Sequence, residues 1–375
     1  MVRAATKHVY KRVAKPLLFK QHPDGVHRGL VKTAKCVQKT PGVKHLPKLW
    51  AYQSSMLEQD VLGIHFKNPV GLSAGFDKNI ELAPTIKNVG FGFMTGGSIT
   101  AEECAGNPKP WFHRLPHSKS LVVHAGLPNA GVAAVARTIQ HYQNHLFDTM
   151  PLTVSVAKTN SPDTVDDETA IADYCQSLEI LEMQGRATWY EVNISCPNTY
   201  GGEPFTSPMR LDALLTAIDM LSLSRPVMVK MPINQSWDAF RELLDVIVKH
   251  NIQGVAIGNL LHERSSVDER DALDPSILGN LSGKPTRKVS TELIRQTYEI
   301  YGDRLVIIGI GGIFSAHDAY VKIRAGASLV ALITGMIFEG PQVVGEINAG
   351  LEKYLKRDGF TNIREAIGVD HKKSV

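Results

Sequence analysis

Cysteine is scarce in this sequence, with four residues in 375, namely Cys36, Cys104, Cys175 and Cys196. They lie far apart, and the sequence contains no CxxC pair or cysteine–histidine cluster of the kind that holds a structural metal. A secreted domain stabilised by disulfides would normally show closely spaced, paired cysteines. We therefore expect a reduced, intracellular setting and no metal site.

Long apolar runs are missing as well. No run approaches the roughly 20 residues that span a bilayer, and we find no signal-peptide core with a small-residue cleavage site. Apolar residues nevertheless make up 43% of the chain. That is enough for a large core, and α/β barrels of this length occur as single domains. The sequence predicts one main domain with a short appendage.

Acidic residues are almost absent from the first fifty positions, where twelve lysines and arginines accompany only Asp24. This segment therefore carries a net charge of +11, against +4 for the whole chain. Such a segment suits nucleic acid, an anionic membrane surface or an import machinery, and charge alone does not choose among them.

Apolar residues interleave with these basic residues at roughly helical spacing, as Val9, Tyr10, Val13, Leu17, Leu18 and Phe19 show. This pattern favours a helix that lies in a membrane interface, with no nucleic-acid partner. The alternative interpretation, an ordinary basic surface helix packed on the main domain, remains open. We predict a basic, amphipathic helical cap over residues 1–50 and the main domain over 51–375, with helical structure before the first strand at 68 and a junction around Pro41, Gly42 and Pro47.

From residue 68 onward, short β-branched runs alternate with longer helical patterns, as in βαβ units. The predicted strands are Asn68–Phe76, Phe91–Thr100, Leu152–Thr159, Trp189–Cys196, Pro226–Met231, Gly254–Asn259, Leu305–Ile310 and Leu329–Thr334. The predicted helices include Asp212–Leu223, Trp237–His250, Thr291–Tyr301 and Pro341–Tyr354. Eight such strands fit an α/β fold of the closed (β/α)8 TIM-barrel type. The alternative, a doubly wound sheet, would normally carry a glycine-rich turn after its first strand. Here that strand ends in Gly75-Phe76-Asp77-Lys78.

Polar residues follow several of these strands, namely Lys78, Asn193, Cys196, Asn198, Lys230 and Asn259. Barrel enzymes place their chemistry at the carboxyl ends of the strands. Amides and lysines that converge there suit a small, planar, anionic substrate. The connection over residues 101–129, rich in proline and glycine, could cover this mouth.

Lys230 stands between Val229 and Met231 in a strand that should be buried, so its ammonium group needs an anion or an acceptor. The N1–C2=O2 region of a flavin would provide one. Two glycine segments, Gly309–Gly312 and Thr334-Gly335, end the last two strands, where barrels often bind phosphate. Glycine in such turns can also have a purely steric reason.

Cys196 is a candidate base, because a thiol with a pKa near 8.5 is usable at neutral pH where its surroundings favour the thiolate. Most cysteines are instead small buried hydrophobic residues. No histidine pairs with Cys196 in the sequence, so cysteine-protease chemistry has little support.

Taken together, several segments resemble the dihydroorotate dehydrogenases. They are Asn68 through Lys78, Gly106 through Pro110, His113 through Pro116, Asn193 through Thr199, Leu281 through Pro285, Ile308 through Gly312 and Arg324 through Val330. The likeness extends from about residue 8 to Gly368-Val369-Asp370-His371. Within that family the chain is similar to class 2, and His8–Arg28 resembles the start of the helical cap that guides a quinone to the flavin.

The resemblance implies oxidation of dihydroorotate to orotate with FMN, in pyrimidine biosynthesis, and transfer of the electrons to a quinone. The residues implied for FMN are Ser73, Ala74, Gly75, Ser98, Asn193, Lys230, Gly283, Gly312, Thr334 and Gly335. Those implied for the substrate are Lys78, Asn193, Asn198 and Asn259. Cys196 falls on the position of the general base, where class 2 usually has serine and class 1 has cysteine. The implied location is the cytoplasmic face of the bacterial inner membrane, as a peripheral protein, with the mitochondrial inner membrane as the alternative.

Three positions depart from the family pattern. Val123 and Ser155 stand where the family usually has asparagine, and Leu260 stands where it has threonine. Each lost hydrogen bond to a buried polar substrate can cost about 1–3 kcal/mol. Two alternatives therefore stay open. One is an FMN oxidoreductase for another cyclic amide or enone. The other is a barrel that only binds a ligand, against which Lys78, Cys196 and Lys230 argue.

Overall fold

The structure is a computed structural model that describes residues 2–143 and 145–372. The strands are β1 (Gln59–Val61), β2 (Ile64–Phe66), β3 (Val70–Leu72), β4 (Phe93–Ile99), β5 (Phe112–Leu115), β6 (Ser120–Val123), β7 (Leu152–Val156), β8 (Trp189–Asn193), β9 (Val227–Met231), β10 (Gly254–Ile257), β11 (Asn280–Leu281), β12 (Val306–Ile310) and β13 (Leu329–Leu332). The α-helices are α1 (Val2–Val9), α2 (Lys15–Phe19), α3 (Pro23–Val37), α4 (Ala83–Val89), α5 (Val132–Gln140), α6 (His145–Asp148), α7 (Asp167–Gln184), α8 (Pro208–Asp219), α9 (Trp237–Ile247), α10 (Arg287–Tyr301), α11 (Ala316–Arg324), α12 (Thr334–Glu339), α13 (Val343–Arg357) and α14 (Ile363–Ala366).

Eight parallel strands close into a barrel in the order β3, β4, β7, β8, β9, β10, β12 and β13, and β13 pairs with β3. This confirms the predicted (β/α)8 barrel and excludes the doubly wound sheet. Six of the eight strands end earlier than predicted, because the residues at their carboxyl ends leave the ladder, whereas β9 and β12 only begin one residue later. All eight predicted strands are nevertheless present.

The barrel strands are buried on both faces, as a parallel sheet covered by helices requires. Every residue of β7 and β9 is buried. Helix α9 shows how the outer layer forms. The Ser236 hydroxyl caps its start by accepting from the Ala239 N–H at 3.4 Å. Apolar residues then recur at helical spacing on one buried face, as Phe240, Leu243, Leu244 and Ile247.

The amino-terminal end of the barrel is plugged by the hairpin of β1 and β2. Its two-residue turn, Leu62 and Gly63, has φ values of 52° and 74°, the geometry that matches the twist of a tight hairpin. The hairpin carries Phe66, whose ring centroid lies 5.4 Å from that of Trp189 and 5.7 Å from that of Phe93. The prediction of helical structure up to the first barrel strand is therefore wrong for residues 59–66, because these side chains close the barrel core.

The opposite end is covered by a three-stranded antiparallel sheet of β5, β6 and β11. Two of its strands lie in the 101–129 connection, which the sequence predicted as a cover for the mouth but not as strands. The sheet brings Phe112 and Val123 over the cavity.

Residues 2–50 form α1 to α3, a π-helical turn at Tyr10–Ala14 and a 3-10 helix at Val43–Trp50. They contact the end of the barrel wall around α12 and α13. The Tyr10 hydroxyl donates to the Ile337 carbonyl at 2.7 Å, and Lys7 pairs with Glu346 at 2.8 Å. Within the described residues, none of the helices is both long enough and apolar enough to cross a bilayer.

Truncation of Trp189, the β8 side chain on which the plug packs, should weaken the whole fold. Trp189 is fully buried between Phe66 and the base of the barrel, so Trp189→Ala should lower the free energy of unfolding by about 3–5 kcal/mol. Met220→Ala is the control, because this side chain is 77% exposed. Urea denaturation followed by circular dichroism measures both. Equal midpoints for the two variants would contradict the role of the plug.

Candidate active site

Two adjoining cavities, of about 230 and 110 Å³, lie at the carboxyl ends of the barrel strands. They share Lys230, Asn259 and Thr334 in their walls. The first extends from His27 and Leu30 of α3 down to Lys230. The second continues to the glycines after β12. Together they form one path from the N-terminal helices to the barrel wall.

All the residues predicted for substrate, base and cofactor line this path. The first cavity contains Lys78, Asn193, Cys196, Asn198, Asn259, Ala74, Gly75, Ser98, Lys230 and Thr334. The second adds Ser73, Gly283, Gly312 and Gly335. The strand ends that the sequence separates by up to 260 positions therefore meet at one mouth.

Buried hydroxyl and amide groups join across the floor of the first cavity. The Asn193 amide donates to the Ser98 hydroxyl at 2.8 Å, and Ser98 shares a second bond of 2.8 Å with Ser155. The side-chain oxygen of Asn193 accepts from the Ser195 hydroxyl. That hydroxyl in turn accepts from the side-chain amide of Asn259 at 2.6 Å. Because each member has a partner, the orientations of Asn193 and Asn259 are defined before any ligand binds. Ser155, one of the departures from the family pattern, here supports Ser98.

A second network orients Asn198. Its amide donates to the Val123 carbonyl at 3.1 Å, while its oxygen lies 3.4 Å from His124 Nδ1 and 3.3 Å from the Asn280 amide. The Asn107 amide lies 3.3 Å from His124 Nε2. These contacts place the ring proton on Nδ1, so that His124 donates to Asn198 and accepts from Asn107. Sequence reasoning missed His124 and Asn107, because their roles depend on contacts across the antiparallel sheet.

The upper wall of this cavity is apolar. Val123, Leu127 and Leu260 all line the path. The Val123 side chain offers no hydrogen bond, and its backbone carbonyl accepts from Asn198. The hydrogen-bonding groups available to a ligand therefore lie on the floor and at the lysines.

Two lysines face the path without a carboxylate partner. Lys230 is 7% exposed, lies beside Asn193 of β8 in the ladder, and forms no ion pair with any residue of 2–143 or 145–372. Lys78 lies 4.8 Å from the centre of the Trp111 ring and 5.6 Å from that of Phe112. Burial lowers the pKa of Lys78 to about 8. Both positions suit an anionic ligand, which would supply the missing charge.

Two further charged residues near Cys196 were not predicted. Lys158 follows β7, is 3% exposed, and donates to the Tyr200 carbonyl at 2.7 Å. Lys78 was singled out because it follows an apolar strand, and the same signal in the sequence could have identified Lys158. Glu203 lies in the loop after β8, where burial raises the pKa of its carboxyl to about 7. One of its buried oxygens has no partner in the described part of the chain.

Cys196 faces the cavity, and burial raises the pKa of its thiol to about 11. The Asn198 N–H, Lys230 and Lys158 lower that pKa, but less than burial raises it, and Glu203 adds to the increase. The ligand-free surroundings thus favour the thiol, in contrast to the expectation of a thiolate at neutral pH. The cost of removing the thiolate from water exceeds the attraction of the lysines.

The second cavity has the shape of a phosphate cradle at the start of α10. A Cβ atom at Gly335 would lie 1.9 Å from the Ile313 carbonyl, and one at Gly312, where φ is 68°, would lie 2.4 Å from Arg287 Cβ. Glycine is thus sterically required at both positions. The open space between them, lined by Gly283 and Thr286 before α10, supports an anion site. A buried lysine next to such a cradle fits the ring and phosphate of a flavin mononucleotide.

The path reaches the N-terminal helices through an aromatic neck. The His27 ring lies 5.5 Å from Phe76 and 6.2 Å from Phe112, centre to centre. Burial first, and then the charge of Lys78, lower the pKa of His27 to about 4. The ring is therefore neutral near pH 7, and the neck is apolar.

Comparison with known proteins gives one consistent result. The family model for dihydroorotate dehydrogenase matches residues 56–355. The dihydroorotate dehydrogenase (quinone) of Nostoc punctiforme is 34% identical to this chain, over 97% of this chain and 99% of that protein. The one from Haloarcula marismortui is 32% identical, with coverages of 96% and 98%. The crystal structure of DHODH from Eimeria tenella in complex with ferulenol superposes with a TM-score of 0.81, at 27% identity, over 93% of this chain and 96% of that one.

The thiol of Cys196 should ionise late. In the ligand-free protein we expect the thiolate absorbance that is lost in Cys196→Ser to appear only as the pH approaches about 11. Iodoacetamide at about pH 8 should modify the exposed Cys36 much faster than Cys196. A difference spectrum that titrates below about pH 9 would contradict the effect of burial.

Proposed function

This chain belongs to the dihydroorotate dehydrogenase family, and from that premise we propose that it oxidises dihydroorotate to orotate and passes the electrons to a quinone. The observation that carries the proposal is the meeting of Lys78, Asn193, Asn198, Asn259 and Cys196 in one cavity beside Lys230. These groups combine donors, a cation and a proton acceptor around a space for one small ring.

FMN is the cofactor that we propose for the second cavity and the adjoining floor. When bound, it would supply the hydride acceptor and carry two electrons between the substrates. Lys230 would face the N1–C2=O2 edge of its ring, and Ser98 and Asn193 would face its pyrimidine part. The ribityl chain and the phosphate would be enclosed by Gly283, Gly312, Thr334 and Gly335, together with Ser73 through Gly75. The buried Lys230 and the glycine cradle support this placement.

Lys78 and three asparagines would hold the substrate. The Lys78 ammonium would pair with the substrate carboxylate, since it lies over two aromatic rings and forms no ion pair with a described residue, while Asp24 acts on it only from a longer distance. Asn193, Asn198 and Asn259 would bond the ring amides with side chains that are already oriented. Such preorganisation lowers the entropy cost of reaching the reactive geometry.

Cys196 would accept the C5 proton of dihydroorotate at its Sγ atom while hydride leaves C6. The charges of Lys230 and Lys158 lower the pKa of the thiol, but burial raises it by more in the ligand-free protein. Because the thiol ionises far above neutral pH, the reactive fraction should increase with pH. Glu203 lies close enough to raise the thiol pKa, and its own deprotonation above about pH 7 would oppose that increase.

A second candidate substrate class is a cyclic amide or enone less polar than dihydroorotate. The apolar side chains of Val123, Leu127 and Leu260 favour it, since they offer no hydrogen bonds on that side of the ring. The floor amides and Lys78 still match a carboxylated pyrimidine, so dihydroorotate is the better-supported substrate.

Quinone would enter through the N-terminal helices. The first cavity opens between His27 and Leu30 of α3, and its neck is aromatic, with the His27 ring neutral near pH 7. Half of the large apolar side chains that the described structure exposes lie before Trp50. Val9, Val13 and Leu17, one helical turn apart, are each more than half exposed. We infer that this basic, apolar face rests on an anionic membrane, on the cytoplasmic side, where quinone is dissolved.

Anaerobic flavin reduction tests the reaction. Dihydroorotate should bleach the wild-type flavin faster as the pH rises, because only the thiolate accepts the C5 proton. Cys196→Ala should keep its flavin but reduce it about 10²-fold more slowly. Cys196→Ser should recover little activity near neutral pH and more at high pH.

Two controls sharpen this experiment. Cys175→Ala changes a cysteine on α7 that does not line either cavity, and this variant should be reduced at the wild-type rate. A less polar cyclic enone, used as the alternative reductant, reports on the second candidate. Wild-type rates in both Cys196 variants would remove Cys196 as the base, and a flavin that dihydroorotate leaves oxidised would overturn the proposed reaction.

Vesicle binding tests the membrane contact. Val13→Asp with Leu17→Asp should abolish binding to vesicles that contain about one-third anionic lipid. It should slow reduction of vesicle-embedded quinone but not flavin reduction by dihydroorotate. The control is Met183→Asp, which alters a side chain on α7 that is 77% exposed. If the double variant and the control bind vesicles equally, the face does not contact the membrane.

A further inference from the structure

Lys322 is the most deeply buried charged side chain among the described residues that do not line either cavity. It lies on α11 with no measurable accessible surface. Its ammonium donates to the Ser290 hydroxyl at 2.6 Å and to the Thr291 hydroxyl at 2.9 Å. The acid on the same helix, Asp318, pairs instead with Arg287 at 2.8 Å. No carboxylate among the described residues lies within ion-pair distance of Lys322.

This ammonium is separated from the second cavity by a single hydroxyl. A Cβ atom on Gly311 would lie 3.1 Å from Ser290 Oγ and 2.6 Å from the Thr286 hydroxyl. One on Gly309 would lie 3.4 Å from the Cδ atom of Lys322. Gly311 and Thr286 both line the cavity. Ser290 thus stands between the lysine and the cradle wall.

A buried ammonium with only hydroxyl partners is costly, because two neutral oxygens replace its hydration without supplying negative charge. Burial, and secondarily the charge of Arg287, lower the pKa of Lys322 to about 7, whereas Asp318 opposes this shift. Arg287 and Asp318, the charged groups that face Lys322, form an ion pair with each other. The site beneath the cradle therefore keeps the positive charge of Lys322. A bound anion is the group that would balance it.

We propose that Lys322 is the buried counter-cation of the cofactor phosphate and acts on it through the Ser290 hydroxyl. This inference rests on the proposed FMN site and adds to it a positioning residue that does not touch the ligand. It also predicts a coupling between phosphate binding and the charge of Lys322.

The direction of that coupling follows from linkage. Without a ligand, Lys322 loses its proton as the pH rises through about 7. A phosphate dianion nearby favours the charged form and raises this pKa, so FMN binding above pH 7 takes up a proton. The affinity for FMN should then fall by about three- to tenfold for each pH unit between 7.5 and 9. The second ionisation of the phosphate itself, near pH 6, lies below this window. Riboflavin lacks the phosphate and should show no such dependence.

Titration calorimetry of the flavin-free full-length protein measures the proton uptake. At about pH 8, FMN binding in two buffers of different ionisation enthalpy should report an uptake of roughly half a proton or more in the wild type. Lys322→Met should report almost none and bind FMN more weakly at pH 7. Lys288→Met is the matched control, because Lys288 lies on α10 near Ser290 but is exposed, and it should behave as the wild type.

A second variant tests the same inference in case Lys322→Met does not fold. Ser290→Ala keeps the lysine but removes the hydroxyl bridge, and it should reduce the proton uptake while riboflavin binding stays unchanged. FMN release from the holoenzyme on dilution, followed by flavin fluorescence, gives the same pH dependence independently. Binding of FMN with equal proton uptake in the wild type and Lys322→Met would overturn this inference alone. A protein that binds neither flavin would overturn the proposed function and this inference with it.

Discussion

Lysines that are buried without an ion-pair partner are the constraint around which this molecule is organised. Lys158, Lys230 and Lys322 are almost inaccessible, and burial lowers the pKa of Lys78 as well. None of the four forms an ion pair with a described residue. Such an arrangement is costly in an empty protein and favourable once anions arrive. The proposed ligands bring negative charge where these lysines lie, as a carboxylate, a reduced flavin ring and a phosphate.

Closure of the barrel makes this arrangement possible. Eight strands end at one mouth, so side chains distant in the sequence meet there, and the helices outside keep water from the strands. The plug at the other end, built on Phe66 and Trp189, completes a rigid base. Above it, the amide chain from Ser155 to Asn259 fixes the floor. Rigidity in these groups is what allows short hydrogen bonds to discriminate one ring from another.

The substrate side of the cavity differs from its floor. Asn198 is oriented by His124 and by the Val123 carbonyl. The apolar faces of Val123 and Leu260 remain. Specificity in this protein would therefore depend more on Lys78 and the floor amides than on the sheet above them.

The sequence alone determined the barrel, the strands and the polar residues at their ends, because buried parallel strands are continuous apolar runs and because closure places their carboxyl ends together. Lys230 and the terminal glycines stand out in the sequence itself, whereas the full set of FMN and substrate residues came from the resemblance to the family. Their roles remain proposals.

Tertiary structure alone decided three other matters. It put residues 59–66 into a plug, because a tight turn at Leu62 and Gly63 is visible only with its partners. It placed His124 beside Asn198 and Lys322 behind Ser290. It also determined that burial outweighs nearby lysines at the Cys196 thiol. Each depends on distances between segments far apart in the chain, and no local pattern encodes those distances.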